Sequence, residues 1–185
     1  MDQRGDQSIE KTVKSEMIYE GRILNLRVET VELPNQKYSK REIVDHSKAV
    51  ALVVLDKEEI FLVRQYRKAI DDFILEIPAG LVESNEQPRE TALREMQEEI
   101  GYGSNHLEYL FDAYSSPGFT NEKTSFFFTN DIYEGKKEGD DDEFLEIVKM
   151  PFERVIEMID TGEITDSKTI MGVLYVKKMM DNGQI

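Results

Sequence analysis

The sequence predicts an α/β (α+β) fold: a mixed β-sheet with helices on both of its faces. Three observations predict it. Short alternating segments fill most of residues 22–77. One of them, Ala49–Leu55, is nearly all apolar, as suits a strand covered on both faces. A helical segment then separates these strands from a second set, and two amphipathic helical segments close the chain.

Taken in order, residues 1–12 read as a flexible polar tail. Arg22–Leu33 and Tyr38–His46 are strands around the turn Pro34-Asn35-Gln36-Lys37. Ala49–Leu55 and Ile60–Tyr66 flank a second turn, Asp56-Lys57-Glu58-Glu59, and Phe73–Ile77 is a short strand stopped by Pro78. Pro88–Ile100 is a helix, with proline in its first turn and Gly101 just past its end. Leu107–Tyr114 and Thr124–Thr129 return to strand, and Glu134–Asp142 is an acidic loop. Phe144–Met150 is one more strand, and Phe152–Ile159 and Ser167–Met180 are helices parted by Gly162, the second capped by Asp166 or Thr165.

A length of 185 residues suits one domain, or one domain with a small N-terminal extension. The net charge of −15, from 38 acids against 23 bases, repels phosphate backbones and argues against a nucleic-acid partner. Acting on an anionic substrate would require local arginines and divalent cations. With no cysteine, disulfides, thiolate catalysis and zinc–thiolate sites are excluded. No apolar run approaches the ~20 residues of a membrane span, and Met1–Lys14 lacks the apolar stretch of a signal peptide. The expectation is a cytoplasmic protein with no membrane partner.

The chemistry concentrates in Gly80–Tyr102. At ~100° per residue, Glu95, Glu98 and Glu99 fan over one stripe of the predicted helix, and Glu95 and Glu99 form an i,i+4 pair. Ala92, Leu93, Met96 and Ile100 make a neighbouring stripe that docks on the sheet, so the carboxylates line the edge of the buried seam. Three like charges so close are costly unless a cation joins them or some stay protonated. Their oxygens suit Mg²⁺ or Mn²⁺, hard ions that also bind phosphate. Arg94 lies within reach of Glu86 and would pin the preceding loop to the helix, and Gly80 permits a tight backbone entry. By themselves, three glutamates on a helix also describe a solvated acidic face.

The complete spacing narrows the choice. Gly80, Glu86, Arg94, Glu95, Met96, Glu98, Glu99, Gly101 and Tyr102 match the pattern G-x5-E-x7-R-E-U-x-E-E-x-G-U, with U a bulky apolar residue and Tyr102 a loose fit to the last slot. Seven fixed letters at frequencies of roughly 1 in 15 recur by chance about once in 10⁸ windows. The segment resembles the signature of the Nudix hydrolases, and the likeness extends from about residue 17 to the C-terminus.

That resemblance implies a Nudix-type α/β/α sandwich with an N-terminal antiparallel extension at residues 13–46 and a hydrolase domain at 47–185. It implies Mg²⁺ or Mn²⁺, two or three ions per site, held by Glu95, Glu98, Glu99 and the Ala79 carbonyl, with Gly80, Glu86, Arg94 and Gly101 structural. Glu98, Glu99 and Glu143 are the implied catalytic residues; Glu143, in the acidic loop, aligns best as a further ligand or base, with Asp141, Asp142 or Glu98 as alternatives.

Pro117, sixteen residues after Gly101, resembles the mark of the ADP-ribose pyrophosphatase subgroup, as do Arg64-Gln65-Tyr66-Arg67 and Glu76-Ile77-Pro78-Ala79-Gly80. Arg67 is then a clamp for a phosphate or the terminal ribose, or else a surface arginine at a strand end. Arg41 and Glu42 hold adenine by stacking and an amino-group hydrogen bond, or else form an ion pair on a strand edge. Many relatives place an aromatic residue shortly after the glycine matching Gly21, whereas Arg22 and Ile23 stand here; Tyr19 is the alternative. Lone His46 and His106 read as packing or surface residues.

The expected reaction is hydrolysis of ADP-ribose to AMP and ribose 5-phosphate. The alternatives are hydrolysis of another nucleotide sugar or a dinucleotide, or a non-catalytic nucleotide-sensing module. The subgroup also implies a homodimer with exchanged N-terminal strands.

Overall fold

A computed structural model describes residues 8–135 and 144–185. The chain divides into two compact units, Met1–Lys48 with Tyr114–Lys123, and Ala49–Ala113 with Thr124–Ile185.

The first unit is a three-stranded antiparallel sheet of β1 (Lys11–Glu20), β2 (Leu24–Glu32) and β3 (Tyr38–His46), with β2 central. The β2–β3 turn falls where Pro34–Lys37 predicts it. Gln36 takes a positive φ of 63°, and the Leu33 N–H donates to the Lys37 carbonyl at 2.7 Å. Lys11 and Thr12 belong to β1, opposite Glu32 and Val31, rather than to the tail. Residues 114–123 join this unit through a bridge of Val44 with Thr120 and a bond from the Val44 N–H to the Phe119 carbonyl at 2.8 Å.

The second unit is built on a mixed sheet. Among the described residues its order is β10 (Leu145–Pro151), β5 (Glu59–Arg67), β4 (Ala49–Asp56), β9 (Lys123–Glu134) and β8 (Tyr102–Tyr114), with β6 (Asp72–Glu76) on β5 and β7 (Ala79–Leu81) on β4. β4 runs parallel to β9 and antiparallel to β5 and β7. Every residue from Ala49 to Leu55 is buried, as its unbroken apolar run requires.

The alternation of side chains along β4 separates two cores. Val50, Leu52 and Val54 pack with Ala92 and Met96 of α1 (Pro88–Glu99) and with Ile100 just past its end. Ala51, Val53 and Leu55 pack with Val155 of α2 (Phe152–Asp160) and Val173 and Val176 of α3 (Ser167–Asp181). Helices therefore cover both faces of one sheet, the expected α/β/α sandwich.

β8 and β9 run further than their apolar stretches predict. Their added residues include Ser104, whose hydroxyl meets that of Thr129 at 2.8 Å in a buried setting. Mutual hydrogen bonding lets two polar residues occupy buried strand positions. β7 hides behind Pro78, where the sequence reads as a stop.

Candidate active site

The site is built on α1 and the backbone that enters it. Gln87 caps the helix in a reciprocal capping box with Glu90, and Pro88 opens the first turn. Gly101, at φ 78°, ends it. The helix is thereby pinned at both ends while its apolar stripe docks on β4 and carries the glutamates to the seam.

Arg94 is the hub. Its Nε and Nη2 donate to the two carboxylate oxygens of Glu86 at 2.9 and 3.0 Å, a bidentate pair that ties the Glu83–Gln87 loop to the helix as expected. Its Nη1 donates to Glu95 at 2.7 Å and to Glu98 at 2.8 Å, and its Nη2 reaches the Leu81 carbonyl at 3.3 Å. The Arg94 hydrogen bonds hold the Glu86 carboxyl at a pKa of about 2; burial opposes that shift, and a bond from the Thr91 hydroxyl adds to it. Arg94 itself is pushed above its ordinary value, chiefly by its bond to Glu86.

Glu95 and Glu99 are nearly buried, at 8 % and 3 % exposure. Glu99 accepts the Ala79 N–H at 2.9 Å, so the peptide before the motif glycine is already bonded to one of the expected ligands. Gly80 is required here by space. A Cβ at that position would lie 2.0 Å from the Glu95 carboxylate carbon. The glycine lets β7, paired through Val50↔Gly80, pass directly against the acid.

Oxygen donors on one helix stripe fit a hard divalent cation chemically. They are not gathered around one point. Among the described residues no three Asp, Glu, His or Cys side chains converge closely enough to hold an ion. Arg94 instead holds both Glu95 and Glu98, so a metal engaging Glu98 would share that carboxylate with the guanidinium. Glu143, Asp141 and Asp142 lie outside the described residues.

The remaining expected residues are distributed between the units. Arg67, on β5, makes a bidentate pair with Glu76 at 2.6 and 2.9 Å. Its pKa is raised, first by that hydrogen bond and, more weakly, by the charges of Glu76, Glu99 and Asp166, against the opposing effect of burial. In the first unit, Arg41 is bound by Glu10 through both Nε and Nη2 and donates to the Ser39 hydroxyl at 2.9 Å. Its carboxylate partner is thus Glu10, thirty-one residues away, and not Glu42 beside it. Glu42 is exposed opposite Val28. Pro117 is exposed in a turn closed by bonds from Phe119 and Thr120 N–H to the Ser116 carbonyl. His46 faces Glu122 at 3.7 Å, and His106 is exposed.

Sequence reasoning missed the weight of Glu76 and Lys168. Glu76 is 1 % exposed and shared by Arg67 and Lys168. The only sequence signal was an acid at the inward end of a short strand, followed by a proline.

A two-faced sandwich, a helix carrying paired buried glutamates and a motif glycine pressed on one of them define a Nudix-type hydrolase site. Family comparison agrees: the NUDIX domain profile matches residues 45–171, and that of the nucleoside diphosphate sugar hydrolase N-terminal domain matches residues 10–44. The chain belongs to the Nudix hydrolase family. It is 43 % identical over 171 residues to the ADP-ribose pyrophosphatase of Bacillus subtilis (strain 168), covering 91 % of this chain and 92 % of the relative. It is 42 % identical over 173 residues to the methanol dehydrogenase activator of Bacillus methanolicus, with the same coverage of 91 % and 92 %. The crystal structure of an ADP compounds hydrolase shares the fold at a TM-score of 0.85 and 22 % identity, covering 95 % of this chain and 97 % of that one.

Proposed function

We propose that this enzyme hydrolyses the diphosphate of ADP-ribose, releasing AMP and ribose 5-phosphate, with Mg²⁺ as its cofactor. The observation that carries this reading is the pair Glu95 and Glu99, buried against the Ala79–Gly80 backbone on a helix with the full motif. Glu95, Glu98, Glu99 and the Ala79 carbonyl would hold the metal, with Glu143 as a further ligand or base. Bound there, divalent cations would neutralise the diphosphate and lower the pKa of the attacking water.

The chain's own residues supply position. The Ala79 N–H orients Glu99, Arg94 orients Glu95 and Glu98, and the Glu86 bridge keeps Arg94 in place. Such pre-set geometry is where catalysts of phosphoryl chemistry gain most of their rate. Arg67 is the cation offered to the substrate from β5. The relative named ADP-ribose pyrophosphatase supports the choice of substrate.

A homodimer with exchanged N-terminal strands completes the proposal. β1 is exposed along its whole length and carries Val13, Met17, Ile18 and Tyr19 at 49–58 % exposure, apolar surface suited to cover by a second copy. Light scattering checks it: a dimer is expected, and a monomer at micromolar concentration rejects it. Among the described residues no helix is long and apolar enough to cross a membrane.

The decisive assay measures AMP release from ADP-ribose with and without Mg²⁺, in wild type and Glu99→Gln. A loss of about 10²-fold or more is expected in the variant. Comparable turnover of GDP-mannose or NADH would reject ADP-ribose as the substrate, and an active Glu99→Gln enzyme would reject the ligand assignment.

A further inference from the structure

Glu76 is a buried carboxylate with two cationic partners of unequal freedom. Arg67 grips it from the more exposed side, its side chain 42 % accessible. Lys168 reaches the same acid at 3.1 Å from the first turn of α3, its side chain 25 % accessible. Lys168 is also held at 2.7 Å by Asp166. Asp166 is itself fixed as the α3 cap, accepting the Thr169 N–H at 2.9 Å and the Thr169 hydroxyl at 2.7 Å.

The same helix end braces the active-site strand. The Thr169 hydroxyl oxygen accepts the Ile77 N–H at 2.9 Å, two residues before the Ala79 whose N–H holds Glu99. Two cations and two anions therefore form one linked set, Arg67–Glu76–Lys168–Asp166. Of its members, Arg67 is the one with both a reason and the room to leave.

We propose that Lys168 is a positioning residue that keeps Glu76 neutralised, so that Arg67 is released to an anionic oxygen of the substrate. The proposal rests on the reading of Arg67 as a substrate clamp. A carboxylate that is 1 % exposed cannot be stripped of its only cation without a large cost. With Lys168 present, Arg67 leaves Glu76 with a cation still at 3.1 Å, one that it shares with Asp166. Without Lys168, Glu76 holds Arg67 as its sole counter-charge among the described residues and competes with the substrate for it. The charge on Lys168 is secure in this setting: burial opposes it, but Asp166 and Glu76 outweigh burial and raise its pKa.

The test is a kinetic double-mutant cycle with ADP-ribose. Lys168→Met is expected to raise KM about tenfold, within the range for residues sharing one charge network, while kcat changes far less. Lys168→Arg should restore KM. Glu76→Gln placed in the Lys168→Met background should relieve the defect, because it removes the charge that traps Arg67. A purely structural role predicts the opposite, a second lesion that deepens the first. Melting curves establish that each variant is folded, and Lys168→Gln carries the same KM expectation if Lys168→Met is not. An unchanged KM in the folded Lys168 variant, or a further loss on adding Glu76→Gln, overturns the proposal. If Arg67→Met alone raises KM while Lys168→Met does not, only this proposal falls. If Arg67→Met leaves KM unchanged, the clamp reading falls with it.

Discussion

Gly80→Ala separates stability from catalysis in this fold. The new Cβ would sit 2.0 Å from Cδ and Oε1 of Glu95 and 2.5 Å from its Oε2. To reach the 3.4 Å at which ordinary contact begins, the carboxylate must retreat by about 1.4 Å from its present 2.0 Å. The obstacle is the end of a flexible side chain, so folding itself survives. Alanine stiffens the unfolded chain and contributes about 0.4–1 kcal/mol of stability. Against that stands the weakening of the bond from Arg94 to Glu95, worth about 1.5–3 kcal/mol for a charged partner. The net loss is about 0.5–2.6 kcal/mol, a modest fall in Tm for a chain of this size. Catalysis should respond differently. Misplacing one reacting group by about 1 Å costs on the order of 10² in rate. The assay pairs a thermal melt with AMP release from ADP-ribose at saturating Mg²⁺. A near-native melt with about 10²-fold lower kcat is expected. Full activity in the alanine variant would show that the Glu95 position does not matter to the reaction.

Two further perturbations test the framework around the site. Thr169→Val leaves the buried Ile77 N–H without its acceptor and should cost about 1–3 kcal/mol in urea unfolding, whereas Thr169→Ser should cost much less; equal losses would point to packing instead of the hydrogen bond. Glu86 has a folded pKa depressed to about 2 from 4.5, so its stabilisation is fully present above about pH 4.5 and is lost as pH falls toward 2. Allowing for solvent screening, the pair with Arg94 contributes about 1 kcal/mol. The stability gap between wild type and Glu86→Gln should therefore close across that acid range, and a gap that persists unchanged at pH 2 contradicts the assignment.

The motif helix was legible in the sequence because each of its signals is local. Pro88, the apolar stripe and Gly101 set its ends and its docking face, and the spacing of Glu95, Glu98 and Glu99 follows from helical geometry alone. The bidentate bridge of Arg94 to Glu86 was legible for the same reason, since one helix and its own entry loop contain both partners. Long-range partners were not. Arg41 pairs with Glu10 across the sheet, although its neighbour Glu42 was the obvious candidate. Lys168 meets Glu76 ninety-two residues away, and nothing in a helix start reading Asp-Ser-Lys-Thr distinguishes a buried lysine from a solvated one. β7 was hidden because three residues behind a proline carry no periodicity, and the start of β8, before Leu107, because its buried Ser104 is a polar residue whose hydroxyl partner, Thr129, lies on another strand. The shared stripe of the three glutamates led to the expectation that they hold divalent ions jointly. Arg94 instead holds both Glu95 and Glu98, a competition that spacing alone does not reveal.

That competition has a thermodynamic consequence. Glu86, Glu95 and Glu98 all accept from the single guanidinium of Arg94, and Glu99 is buried one turn beyond Glu95. Carboxylates this close raise one another's energy unless more positive charge arrives. A divalent cation that binds the folded chain must therefore stabilise it, by about 2.7 kcal/mol at a free concentration a hundredfold above its Kd. For a chain of this length that is an increase in Tm of roughly 5–10 °C. Glu99→Gln gives the controlled comparison, because its amide oxygen can still accept the Ala79 N–H while the charge is gone. In the absence of metal the variant should melt no lower than wild type, since it relieves repulsion. In Mg²⁺ it should lose most of the increase. A Mg²⁺ shift of equal size in both proteins would locate the binding ion away from Glu99. No shift in wild type would mean that no divalent cation binds the folded chain preferentially.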